Sequence, residues 1–149
     1  MALEDFDAAT AYSFSLEIDG IACMHLTEVS GLKIEHDVIE MKMNEATKGK
    51  YIIRKMPGRP KAGEITIKRY FYAHDSFKDW MDKVGLGQVK AARKNGFVNI
   101  LDTEGNTLKR FQFTNGMAKS LDLGSLQAGS TNPVTETLVI AFEVLELVS

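Results

Sequence analysis

Alternation of apolar and polar positions dominates this chain. Tyr12, Phe14, Leu16 and Ile18 stand on one side of Ser13, Ser15 and Glu17, the period of two expected of a half-buried strand. Asp19-Gly20 offers the positive-φ positions of a tight hairpin turn into a second strand over residues 21–29, which Ser30-Gly31 ends. Residues 33–43 read as a longer strand with apolar side chains on both faces: Ile34, His36 and Val38 on one, Ile39, Met41 and Met43 on the other. A strand of that kind is covered on both sides, either within its own domain or by another subunit. Residues 44–50 are polar and read as an exposed loop. Residues 51–56 are expected as a short strand stopped by Pro57-Gly58, and 59–63 as a second flexible stretch. Alternation resumes over 64–70 with Ile65 and Ile67 inward.

One helix interrupts the strands. Phe77, Trp80, Met81 and Val84 recur at i, i+3, i+4 and i+7 and form one apolar stripe. Asp75 or Ser76 is placed to cap its start, and Gly85 and Gly87 end it. Residues 88–94 are expected to add a helical turn or two, closed by Asn95-Gly96. Residues 97–102 and 107–114 form a hairpin pattern around Glu104-Gly105-Asn106, and Asn115-Gly116 signals a further turn. After a small, polar stretch over 121–132, residues 134–148 read as one long terminal strand with Leu138, Ile140, Phe142 and Val144 on a common face. That strand carries neither proline nor lysine, so it is either an edge open to another chain or an interior strand. The expected fold is mainly β (α+β): a β-barrel or two-layer sheet with one flanking α-helix, in a single domain over residues 1–149.

Composition narrows the function. With 18 basic and 20 acidic residues the net charge is −2, and no basic face of the kind nucleic-acid binding needs is apparent. The densest basic cluster, Arg54-Lys55 to Arg59 and Lys61, is broken by Pro57, Gly58 and Pro60. The lone Cys23 excludes an internal disulfide and suits a reducing compartment. Residues 1–10 are acidic and lack the pattern of a secretory signal, and no apolar run approaches the roughly 20 residues of a membrane helix. The expectation is a chain made in the cytoplasm and kept soluble there, at least until assembly.

Candidate chemistry is sparse. His25, His36 and His74 show no metal-ligand spacing, Cys-x-x-Cys is absent, and the glycines match neither phosphate-binding pattern. Cys23 stands two residues from His25, but nothing else there supports a nucleophile. Glu35 and Asp37 share a strand face without a recognisable cleft. No enzyme activity, cofactor or metal is expected.

Several segments, in order, resemble the tail tube family of contractile phages and related extracellular injection systems. They are Phe14-x-Leu16-x-Ile18-Asp19-Gly20, then Thr27-Glu28-Val29-Ser30-Gly31-Leu32 and Glu35-x-Asp37-Val38-x-Glu40. Next come Arg54-Lys55-Met56-Pro57-Gly58, Gly63-Glu64-Ile65-Thr66-Ile67-Lys68-Arg69 and Phe77-x-x-Trp80. Leu101-Asp102-x-x-Gly105, Arg110-Phe111, Phe113-x-Asn115 and the run from Asn132 to Leu145 complete the series. Tyr70 and Gly116-Met117-Ala118 stand where the family often has a glycine and a Trp-Pro pair.

The resemblance implies hexameric rings that stack into a hollow inner tube within a contractile sheath. Baseplate and spike proteins would be partners, and the lumen would conduct DNA or protein cargo. If each of six subunits adds about four strands to one closed barrel, the lumen is on the order of 40 Å wide. The loops over 44–50 and 56–63 are expected to reach neighbouring subunits, with Lys48, Lys50, Lys55, Arg59 and Lys61 meeting acidic groups such as Glu4, Asp5 or Asp7. Met41 and Met43 are expected at the same interface. The alternatives are a terminator or sheath-associated tail protein of similar fold, or a small β-barrel ligand-binding module with Tyr51, Tyr70, Phe71 and Tyr72 as its aromatic lining. Neither membrane insertion nor sequence-specific nucleic-acid binding is expected.

Overall fold

The computed structural model describes residues 9, 12–19, 26–71 and 76–148. In chain order the elements are β1 (Phe14–Ile18), β2 (Leu26–Ser30), β3 (His36–Asn44), β4 (Tyr51–Pro60), β5 (Gly63–Tyr70), α1 (Ser76–Gly85) and α2 (Val89–Ala92). They continue with β6 (Lys94–Leu101), β7 (Thr107–Leu123), β8 (Thr135–Phe142) and β9 (Val144–Leu147). Cys23, His25, His74 and the Asp75 cap lie outside the described residues.

Seven strands form one antiparallel sheet in the order β1-β6-β7-β8-β5-β2, with β9 also on β7. The sheet folds over on itself at β7. The first part of that strand pairs with β6 and β9, and the part after Gly116 pairs with β8. Asn115 marks the change with φ 54°, the only positive φ of a non-glycine among the described residues. Its side-chain amide donates to the Glu143 carboxylate (2.8 Å) at the break between β8 and β9. The bend in one strand is thereby tied to the break in its neighbour.

Alternation puts the core where the two halves face each other. Leu16, Ile18, Val98 and Phe113 come from one half, and Ile65, Ile67, Leu138, Ile140 and Phe142 from the other. The break at Glu143 shifts the period by one, so Leu145 is buried and Val144 only half-buried. Phe113 lies over its cross-strand partner Gly96, where an added Cβ would also meet the Glu17 carbonyl oxygen at 2.7 Å. α1 closes one end of the core. Phe77 and Trp80 are buried, and Trp80 Nε1 donates to the Ala92 carbonyl, fastening α1 to α2. Beneath Phe77 the buried Arg69 guanidinium donates to Glu136 (2.9 Å) and stacks on the ring at 3.6 Å.

The architecture is the two-layer form of the expectation, not a closed barrel. Among the described residues β1 and β2 end the sheet without pairing with each other, and the hairpin turn expected at Asp19-Gly20 leads into residues 20–25, which lie outside the described residues. A cavity of about 390 Å³, lined by Phe14, Val29, Leu32, Val98 and Ile100, separates the two strands. A bulge between Leu26 and Glu28 twists β2 where closure would be needed.

Four further expectations change. β4 continues through Pro57-Gly58 to Pro60, because a two-stranded ribbon has free edges that do not need proline's missing N–H, and Pro57 and Pro60 flank its bulge. Asn115-Gly116 bends β7 without ending it, and the strand runs to Leu123. The second helix is a single turn, and Asn95-Gly96 belongs to β6. The terminal strand is two strands, of which β8 is interior, paired with β5 on one side and β7 on the other. Its lack of protective residues therefore reflects burial within the sheet.

Candidate subunit interface

Among the described residues β3 and β4 pair only with each other and form a sheet separate from the seven-stranded one. Their side chains explain why the hairpin is unusual. On one face the cross-strand pairs are Ile39 with Met56, Met41 with Arg54 and Met43 with Ile52. The other face sets Val38 against Pro57, Glu40 against Lys55, Lys42 against Ile53 and Asn44 against Tyr51. Large apolar side chains on both faces are open to solvent, with Val38 62%, Ile39 51% and Ile53 51% exposed. The reading of 33–43 as a strand covered on two sides is therefore not met by the subunit's own core. Strands of this composition ordinarily bury at least one face, and a contiguous exposed patch marks an interaction surface.

All seven residues expected at an interface fall on or beside this hairpin. Met41 and Met43 share the apolar face of β3. Lys48 and Lys50 lie at the tip, which two backbone bonds close, Glu45 N–H to Lys50 O (2.7 Å) and Gly49 N–H to Glu45 O (2.8 Å). Lys55 and Arg59 belong to β4 itself, and Arg59 sits where the register shifts between His36 and Val38. Gly58 fits at that crossing because a Cβ would lie 2.8 Å from the Asp37 carbonyl oxygen. Lys61 follows the hairpin and lies 4.0 Å from Glu35 and 3.8 Å from Asp37. The Glu35 carboxyl is held below its ordinary range, first by the hydrogen bond from Lys33 and further by the Lys33 and Lys61 charges, against some desolvation. Lys61 thus spends its charge at the base of its own hairpin, while Lys48 and Lys50 at the tip form no ion pair among the described residues. The acidic residues 4, 5 and 7 lie outside the described residues.

A second surface concerns the four strands expected to join a shared barrel, whose identity the sequence left open. β2, β5, β8 and the part of β7 after Gly116 make a four-stranded half-sheet whose outer edges, on β2 and on residues 117–123, are unpaired among the described residues. Its outward face carries Thr66, Thr137, Val139 and Ala141. The basic residues flanking them are matched within the subunit, Lys68 with Glu28 at 3.4 Å and Lys119 with Glu64 across β8, while Asp122, opposite Thr137, has no ion pair among the described residues. Only the bend in β7, which frees residues 117–123 from β6, exposes this edge. Among the described residues no three His, Cys, Asp or Glu side chains are placed to share a metal ion. No described helix is long and apolar enough to cross a membrane.

A family model described as T4-like virus tail tube protein gp19 matches residues 10–146. The fold is similar to a chain in the sheath-tube complex of an extracellular contractile injection system, PVC, in its extended state. There the TM-score is 0.78 at 21% identity, over 97% of this chain and 94% of that one. A chain of the sheath/tube terminator structure of the same system gives a TM-score of 0.80 at 22% identity, over 98% and 100%. A chain of the tube-terminating cap of the anti-feeding prophage gives 0.78 at 22% identity, over 100% and 95%. No curated protein matches the chain.

Proposed function

The chain belongs to the tail tube protein family of T4-like viruses, and from that premise we propose that it is the inner tube subunit of a contractile tail or injection system. In this reading residues 1–149 are one tail-tube domain that forms hexameric rings, and the rings stack inside a sheath on a baseplate and spike. Assembly takes place in the bacterial cytoplasm, the tube conducts cargo, and the subunit's work is structural, with no reaction of its own.

The observation that carries this reading is the β3–β4 hairpin, largely apolar on one face, mixed on the other, with large apolar side chains on both left exposed among the described residues. A second copy is its natural cover. The half-sheet of β2, β5, β8 and the end of β7 suits the lumen wall, because unpaired edges on both sides let it continue from subunit to subunit. β9 is less free, since residues 33–36 flank it across a cavity of about 370 Å³. A wall of mostly small side chains whose lysines are paired within the subunit offers passing cargo little to adhere to.

Sedimentation and negative-stain microscopy of the purified chain test the proposal. Ring-sized particles, and hollow stacks at high concentration, are expected. A monomer at every concentration and salt would overturn it. The terminator reading is favoured by an equally good fold match and is separated by the same images, since a terminator gives single rings and no long stacks.

A further inference from the structure

Three of the seven methionines sit together on the hairpin. Met41 and Met43 are two apart on β3 and share a face, and Met56, opposite Ile39, is the diagonal neighbour of Met41 on that face. They are 39%, 38% and 45% exposed. The two other described methionines, Met81 and Met117, are half-buried, and Met81 packs against the core. The most exposed described methionines thus coincide with the hairpin whose apolar side chains the subunit leaves open.

We propose that Met41, Met43 and Met56 form an oxidation-sensitive patch that gates assembly: peroxide oxidation of the free subunit blocks tube formation, and tube formation shields the patch. The inference rests on the hairpin being a subunit interface. In the reaction a thioether sulfur attacks one oxygen of hydrogen peroxide. The O–O bond breaks, an S–O bond forms, sulfur loses two electrons and water leaves. The product is a polar sulfoxide in place of a flexible apolar side chain, and Met-rich interfaces are disrupted by that change. Sulfoxide is a strong hydrogen-bond acceptor, and an apolar partner surface gives it nothing to accept from. Because methionine sulfoxide reductases reverse the product, the block is recoverable.

The test uses the full chain with Cys23→Ser in every sample, so that thiol oxidation does not contribute. Free subunit is treated with dilute hydrogen peroxide, sulfoxides are mapped by peptide mass spectrometry, and assembly is followed by sedimentation. Met41, Met43 and Met56 are expected to oxidise before Met81 and Met117, and the concentration needed for assembly is expected to rise about tenfold or more. Methionine sulfoxide reductase should restore assembly. A Met41→Leu/Met43→Leu/Met56→Leu variant, close in volume and not oxidisable, should assemble equally well before and after peroxide. Preformed tubes should protect the three sites. Unchanged assembly of the oxidised wild type, with circular dichroism showing an intact fold, would overturn the proposal. So would oxidation of Met81 and Met117 at the same rate as the patch. Failure of the untreated chain to assemble would instead remove the interface reading, while the order of oxidation would still decide whether the patch is selectively reactive.

Discussion

At the scale of single residues, the buried Arg69–Glu136 pair sets the largest local stake. Both side chains are almost wholly withdrawn from water, and Phe77 covers the guanidinium. Removing one partner leaves the other charge buried, so Glu136→Ala should cost about 3–5 kcal/mol. Replacing both, as Arg69→Met with Glu136→Leu, should cost less than Glu136→Ala alone, and urea unfolding of the three variants checks the order. Asp102 works differently. Its carboxylate accepts the backbone N–H groups of Glu104 and Asn106, each at 2.9 Å, and so holds the turn between β6 and β7. Those bonds, the one from Asn106 foremost, lower its pKa against the opposing effect of desolvation. A carboxyl whose folded pKa lies below its unfolded value of about 3.9 stabilises the fold above that pH, and the contribution fades as pH falls through the folded value. The stability advantage of wild type over Asp102→Asn should therefore be full at neutral pH and shrink below about pH 4. An advantage independent of pH down to acid unfolding would show that the charge does not hold the turn.

At the scale of the element, the hairpin divides its basic residues into two kinds. Lys61 neutralises Glu35 and Asp37 at the base, so reversing it would place a third acid among them and disturb the hairpin itself. Lys48 and Lys50 project from a tip already closed by backbone bonds, and their charges are free for a neighbour. Lys48→Glu with Lys50→Glu is thus the clean reversal. It should leave the circular dichroism spectrum unchanged, shorten or abolish tubes, and weaken the salt dependence of stacking seen with the wild type. Tubes of normal length from this variant would assign the hairpin's contribution to its apolar face alone. The residue types of both strands were legible in the sequence. Their mutual register was not, because Pro57-Gly58 carries the same local signal whether it ends a strand or borders the bulge of a free ribbon.

At the scale of the whole molecule, stability depends on how the sheet turns back on itself. Phe113 fills the angle of that fold, with its ring over Gly96 and beside Gly116. Gly96→Ala would drive a methyl into the ring and the Glu17 carbonyl, a clash that neither strand can relieve without losing register. A loss of about 1–3 kcal/mol is expected from such overpacking, read as a lower denaturant midpoint at unchanged slope. The same fold-over leaves the second half of β7 with an unpaired edge, which is the feature a ring-forming sheet needs.

Period-two alternation determined most strand identities by itself, since which face of a strand is buried is a local property of its side chains. That is why Ile65 and Ile67 could be assigned to the core and Leu138 and Ile140 to one face, and why the i, i+3, i+4, i+7 stripe placed Phe77 and Trp80 together. The ordered segments likewise carried the family, because they span the chain at matching spacing. Tertiary structure alone decided which strands are neighbours. Asp19-Gly20 is compatible with a hairpin, yet β1 and β2 end at opposite limits of the sheet, because β6 and β5 offer each a partner that buries its apolar face in a common core. It also decided that β8, the first part of the terminal segment, is interior and that the 36–60 hairpin is bare. Proline-free β8 and methionine-bearing β3 are both rich in apolar residues, and composition cannot distinguish a strand covered by its own chain from one left for another. That difference arises from pairings between residues far apart in sequence, which no local pattern encodes.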